Sequence, residues 1–240
     1  MYHARHVKPH HWAAAAIAVV SVVALLAGVA VMRGGLGASE GRDAAGPDSA
    51  ATSGGPTKES PSRTGDNAIR YALTECRSAW SSQDRVLRAA GSSLDQWGVH
   101  IRAMNELVAG EITAQQASNL WSASRVGAAQ RVARYQAVDR QSLGVFRRCS
   151  RPAGTDAEAG QLRRLDACRS GAFARDDVLT SARTSIGTWR HHIHDMEQLR
   201  AGRISVTTAL QRWQTNWRKG AAELRRYRHQ RDAAAGMTIC

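Results

Sequence analysis

Two copies of one short pattern carry the side chains best suited to chemistry: Trp97-x-x-His100-x-x-x-Met104 and Trp189-x-x-His192-x-x-x-Met196. Residues at i and i+4 share a helix face, so each copy sets an imidazole beside a thioether. That pairing suits a soft cation such as Cu(I), or the axial positions of a haem. The same residues also suit packing. Met104 falls on an apolar seam, and His100 lies near the level of Trp121 across a helical turn, where a ring contact or hydrogen bond would satisfy it. Packing is the first expectation, with no cofactor; copper or haem ligation by His100, Met104, His192 and Met196 is the alternative.

The pattern recurs because the last two thirds of the chain are one unit written twice at a constant offset of 92 residues. Leu73 pairs with Leu165, Cys76 with Cys168, Leu87 with Leu179, Trp121 with Trp213 and Tyr135 with Tyr227, and about one position in three is identical from 73 to 135. Chance does not produce that run, so the elements that position one histidine must recur around the other. The second copy, His191-His192-x-His194-x-Met196, resembles over six residues the His/Met motifs of small secreted copper-associated helical bundles. Copper in the alternative reading is what that resemblance implies.

The positioning elements read as helices. Leu73, Cys76, Trp80, Gln83, Leu87, Ala90, Leu94, Trp97, Ile101 and Met104 alternate in steps of three and four, and Leu165 to Met196 repeat the stripe, with Gln83 and Arg175 as its polar members. Such a stripe is a helix-pairing seam. Gly110 and Gly202 suit left-handed C′ positions. Thr113 with Gln116 forms a capping box, Ile112 can staple against Ala117, and Ile204 and Ser205 repeat the device. Each unit therefore reads as a long antiparallel helical hairpin, 66–150 and 155–240, with Pro152 at the break between them. The fold class is all-α. Helices of about 40 residues would run roughly 60 Å, in tandem or packed as an elongated four-helix bundle.

The cysteines follow the same plan. Cys76 lies 34 residues before Gly110 and Cys149 lies 39 after it, so a hairpin brings them to one open end. Cys168 and Cys240 match them, and the expected disulfides are Cys76–Cys149 and Cys168–Cys240. Disulfides imply an oxidising compartment.

Residues 12–32 are uncharged and apolar, long enough to cross a hydrocarbon core of about 30 Å. They read as a transmembrane helix rather than a cleaved signal, whose apolar region is shorter. Residues 1–11 form a short cytoplasmic flank. Residues 33–65, rich in Gly, Ser and Pro, read as a flexible linker with a reach of roughly 30 Å. The expected localisation is the cell membrane, crossed once, with the carboxy-terminal domain extracytoplasmic.

The formal net charge is +13, and 30 of the 33 basic residues are arginine. Such charge attracts anionic surfaces. The final helix concentrates it in Arg212, Arg218, Lys219, Arg225 and Arg226, opposite Trp213, Trp217, Leu224 and Tyr227. A basic amphipathic helix suits anionic lipid head groups, envelope polymers or an acidic protein. Nucleic acid is not expected, because the domain is placed outside the membrane and no RNA-binding aromatic signature occurs. Neither a nucleophile elbow, a P-loop, a dinucleotide fingerprint nor a zincin motif occurs, and no catalytic residue is assigned. The expected function is non-enzymatic: a membrane-anchored extracytoplasmic binding or spacer module with a basic surface.

Overall fold

The structure is a computed structural model, and it describes residues 61–143, 149–153, 158–237 and 240. Five helices make up the described residues: α1 (Pro61–Ala109), α2 (Ala114–Arg125), α3 (Ala128–Ser142), α4 (Ala159–Arg200) and α5 (Val206–Ala235), with no strand among them. No helix among the described residues is long and apolar enough to cross a membrane. The cytoplasmic flank, the predicted transmembrane segment 12–32 and the linker as far as residue 60 lie outside the described residues. Residues 61–65, expected as the end of the linker, instead open α1. Pro61 fits a first helical turn, where no backbone N–H is needed and φ is preset.

The turns form as the caps direct. Gly110 and Gly202 adopt φ of +74° and +67° after α1 and α4. Thr113 Oγ1 accepts from the Gln116 N–H at 3.2 Å, and Gln116 Oε1 accepts from the Thr113 N–H at 2.8 Å, completing the capping box of α2. Ser205 caps α5 through the Thr208 N–H. Chain reversal at both glycines lays α2 and α3 back along α1, and α5 back along α4.

One limb departs from the expectation of a continuous return helix. The chain breaks at Val126 and Gly127, where Val126 leaves the helical region and Gly127 takes φ +70°. The equivalent positions in the second copy are Arg218 and Lys219, and α5 runs through them without interruption. Glycine makes a left-handed residue inexpensive; arginine and lysine do not.

The two units pack against each other along α1 and α4. Equivalent residues face one another across that contact: Trp97 meets Trp189, and His100 meets His192. Contact at a constant offset along both helices means that α1 and α4 run parallel, related by an approximate two-fold axis along the bundle. Cross-links fix their register. Buried Gln83 donates Nε2 to the Ala172 carbonyl at 2.8 Å. Arg175 pairs with Asp84 and lies over the Trp80 ring, its Cζ 4.3 Å from the centroid. Further along, Arg183 on α4 grips both carboxylate oxygens of Asp139 on α3. The polar residues of the seam thus act as register pins between the copies.

Both expected disulfides are present, Cys76–Cys149 and Cys168–Cys240. They clasp the end remote from the turns, within a core of Ile69, Ala72, Trp80, Leu165 and Ala172. The sulfur atoms of Cys76, Cys149 and Cys168 lie within 4.8 Å of one another, so the two clasps touch.

Close packing around Trp97 depends on a single missing methyl group. A Cβ placed on Gly220 of α5 would stand 2.9 Å from both Nε1 and Cε2 of Trp97, a ring already stacked on Trp189 and unable to retreat. Gly220→Ala is therefore expected to destabilise the bundle by about 1–3 kcal/mol, despite alanine's better helix propensity. The shift of the urea midpoint measures it, and a stabilised variant would show that the ring has somewhere to go.

Candidate functional site

The centre of the bundle is a column of imidazoles and indoles on the two-fold axis. Trp97 and Trp189 stack with ring centroids 4.7 Å apart. The next level is the histidine pair, with His192 Nε2 3.0 Å from His100 Nε2. Beyond it Trp121 and Trp213 meet edge to face at 4.8 Å. Each level consists of one residue and its own repeat equivalent, so duplication built the column. The Trp121 ring lies 6.0 Å from the His100 imidazole, the ring contact expected across the turn, while its indole N–H donates to the His100 backbone carbonyl at 3.1 Å and the imidazole itself is met by Ser124.

Hydrogen-bond directions in the column follow from chemistry. Ser124 Oγ lies 3.1 Å from the Trp121 carbonyl oxygen, which can only accept, so the hydroxyl donates there. The same Oγ must then accept from His100 Nδ1–H at 2.9 Å. Neutral His100 is left with a bare lone pair on Nε2, to which His192 Nε2–H donates. Neutral His192 in turn carries a lone pair on Nδ1, and that buried atom has no hydrogen-bond partner among the described residues. Both rings are held neutral. Burial is the main cause, pushing His100 well below its ordinary range and His192 down to about 3; the Arg125 guanidinium adds to both, and the second imidazole adds to the depression at His100.

This relay ends, by way of the Ser124 hydroxyl, on the Trp121 backbone carbonyl. It orients the two imidazoles and satisfies His100, while Nδ1 of His192 stays unpaired. The four residues of the metal alternative are only partly gathered. His100, His192 and Met196 border one cavity of about 60 Å³, whereas Met104 packs in the adjoining cluster with Ala103, Leu107 and Trp121. Both nitrogens of His100 are already engaged. A cavity this small lies far below the several hundred Å³ of an ordinary cofactor site, and a haem does not fit it.

The basic residues of α5 divide into two groups. Arg212 pairs with Asp195 at 2.9 Å and Lys219 with Glu223 at 3.8 Å. Arg218, Arg225 and Arg226 are exposed, with no carboxylate within ion-pair distance among the described residues. Arg218 and Arg225 stand two turns apart, roughly 10.5 Å along the helix. Trp213, Leu224 and Tyr227 are buried on the opposite face, and Trp217 is half-buried with its N–H on Asn105.

Sequence reasoning missed Ser124, Arg125 and Arg200, which complete the surroundings of the histidine pair. The signal for them was not a motif but a mismatch between copies: Ser124 stands against Asn216, Arg125 against Trp217, and Val108 against Arg200.

Comparison with protein-family models, with curated proteins and with solved structures gives no match.

Proposed function

We propose that this chain is a membrane-anchored, extracytoplasmic, non-enzymatic module: two disulfide-clasped hairpins, descended from one duplicated unit, that hold a basic helix face at a distance from the bilayer. The carrying observation is the row of Arg218, Arg225 and Arg226, exposed and unneutralised on the outer face of a helix whose inner face is locked into the core. Two clasps in one core support placement in an oxidising compartment. The uncharged stretch 12–32 supplies the anchor and the Gly/Ser-rich segment after it supplies reach. Guanidinium groups spaced along a rigid rod suit a phosphate-bearing envelope polymer or clustered lipid head groups, because each can meet an anion without rearrangement of the core.

Reversing the face with Arg218→Glu, Arg225→Glu and Arg226→Glu tests this. Each surface cation contributes roughly 1 kcal/mol near an anionic surface, so the triple variant is expected to bind phosphatidylglycerol vesicles about a hundredfold more weakly, with a flattened salt dependence. The clasps and the buried face are untouched, so folding should be unchanged. Unaltered binding and salt response would remove the basic face from the function.

Copper binding by His100, His192 and Met196 stands second. It requires opening the His100–His192 hydrogen bond and leaves Met104 outside.

A further inference from the structure

The duplicated core is not symmetric, and the asymmetry has one location. On one side of the histidine pair, Trp217 packs into the core beside Ala103, Leu107 and Val108. On the other side, the repeat equivalents of Trp217, Val108 and Ala103 are Arg125, Arg200 and Asp195. These three border the cavity of about 60 Å³, whose remaining walls are apolar or aromatic, chiefly Trp121, Trp213, Leu199 and Met196. The cavity lies where one copy carries arginine and the other tryptophan.

Its charges are not balanced internally. Asp195 is already held by Arg212 at 2.9 Å and by the Asn216 amide at 3.2 Å. Arg125 and Arg200 have no carboxylate partner among the described residues, and burial first, then the nearby Arg200 cation, disfavours the charge on Arg125. The Nε–H of Arg125 is buried without an acceptor. The symmetry break extends to the histidines. Ser124 satisfies His100 Nδ1, whereas its equivalent, Asn216, is turned to Asp195, leaving Nδ1 of His192, a residue 3% exposed that borders the cavity, without a donor. A buried polar group left unpaired costs about 1–3 kcal/mol; an anionic ligand would relieve that cost at Arg125 Nε–H, which needs an acceptor, but not at His192 Nδ1, which needs a donor.

We propose that this cavity is a binding site for a small organic monocarboxylate with a short branched apolar body, its carboxylate bound by Arg125 and Arg200 and its body seated between Trp121, Trp213 and Leu199. Two guanidinium groups beside an apolar wall recognise an anion with a hydrophobic body. A volume near 60 Å³ admits a few carbon atoms, and its partly open form lets the carboxylate stay at the mouth. The site opens at the side of the bundle beside the histidine pair, with Arg200 exposed at its edge, and is separate from the Arg218, Arg225 and Arg226 face.

The test uses isovalerate as probe and the full-length chain in mild detergent, followed by the indole N–H signals in two-dimensional NMR. Isovalerate is expected to bind saturably, with Kd of order 0.1–1 mM for so few atoms. Isovaleramide, which keeps the shape without the charge, and acetate, which keeps the charge without the body, should each bind about tenfold more weakly or worse. Two variants install the residue that the other copy already carries. Arg200→Val should weaken isovalerate binding about tenfold, and Arg125→Trp should abolish it by filling the space. Arg125→Gln, which keeps a similar size and loses only the charge, should weaken binding comparably and serves if the tryptophan variant does not fold. Absence of saturable binding, equal binding of acid and amide, or undiminished binding by Arg200→Val and Arg125→Gln would overturn the proposal.

Discussion

Exchanging Cys76 and Cys149 for alanine is expected to cost about 4 kcal/mol, because the clasp closes a sequence separation of 73 residues and its loss frees that much of the unfolded chain. For a domain of this size the melting temperature should fall by about 8–16 °C. Cys168 and Cys240, separated by 72 residues, should behave alike. Removing both clasps together would take about 8 kcal/mol, comparable with the entire stability of an ordinary domain, and the four-alanine variant is expected to lose its cooperative transition. The sulfurs share one buried cluster, so coupling between the two losses is expected rather than strict additivity. Thermal denaturation with and without a reductant measures the loss of both clasps on the unaltered chain, and the paired alanine variants measure each alone. A melting temperature indifferent to reduction would mean that packing alone closes the open end.

Acidification is expected to be the second large perturbation, and its sign follows from the histidine pair. Folding depresses both pKa values, so as pH falls through the ordinary histidine value near 6.5 the unfolded chain takes up protons that the folded chain refuses. Stability is thus complete above about pH 6.5 and declines below it, by about 1.4 kcal/mol per pH unit for each histidine and near 2.7 for the pair. The loss at His192 continues towards its folded value of about 3. Between pH 6.5 and 5 this decline should dominate, because carboxylates ordinarily titrate nearer pH 4. Urea midpoints measured across that interval should fall steeply in the unaltered chain and more gently when His100 and His192 are both replaced by glutamine. Equal slopes would show that the rings take up protons in the folded state.

The sequence was legible wherever function of a residue depends on its near neighbours. Thr113 with Gln116 and the positive-φ Gly110 and Gly202 are local devices, readable from spacing alone, and they form. The disulfide partners were legible for a related reason: a hairpin with a known turn fixes which late cysteine can reach which early one. The break at Gly127 was less visible, since an isolated glycine inside a helical pattern is often tolerated, as at Gly91 and Gly187.

By itself, then, the sequence determined an all-helical repeat with its turns and clasps, because helix periodicity, capping and loop reach are set within a few turns of chain. Only the tertiary structure decided that α1 and α4 run parallel, that His100 bonds to its own repeat equivalent, and that the column of rings lies on the two-fold axis. A repeat specifies two like surfaces without specifying how they meet. The same holds for the cavity. Arg125 is far in sequence from Asp195 and Arg200, which share one helix, and it joins them only when α2, α4 and α5 are packed around a core that one copy fills with Trp217 and the other leaves open.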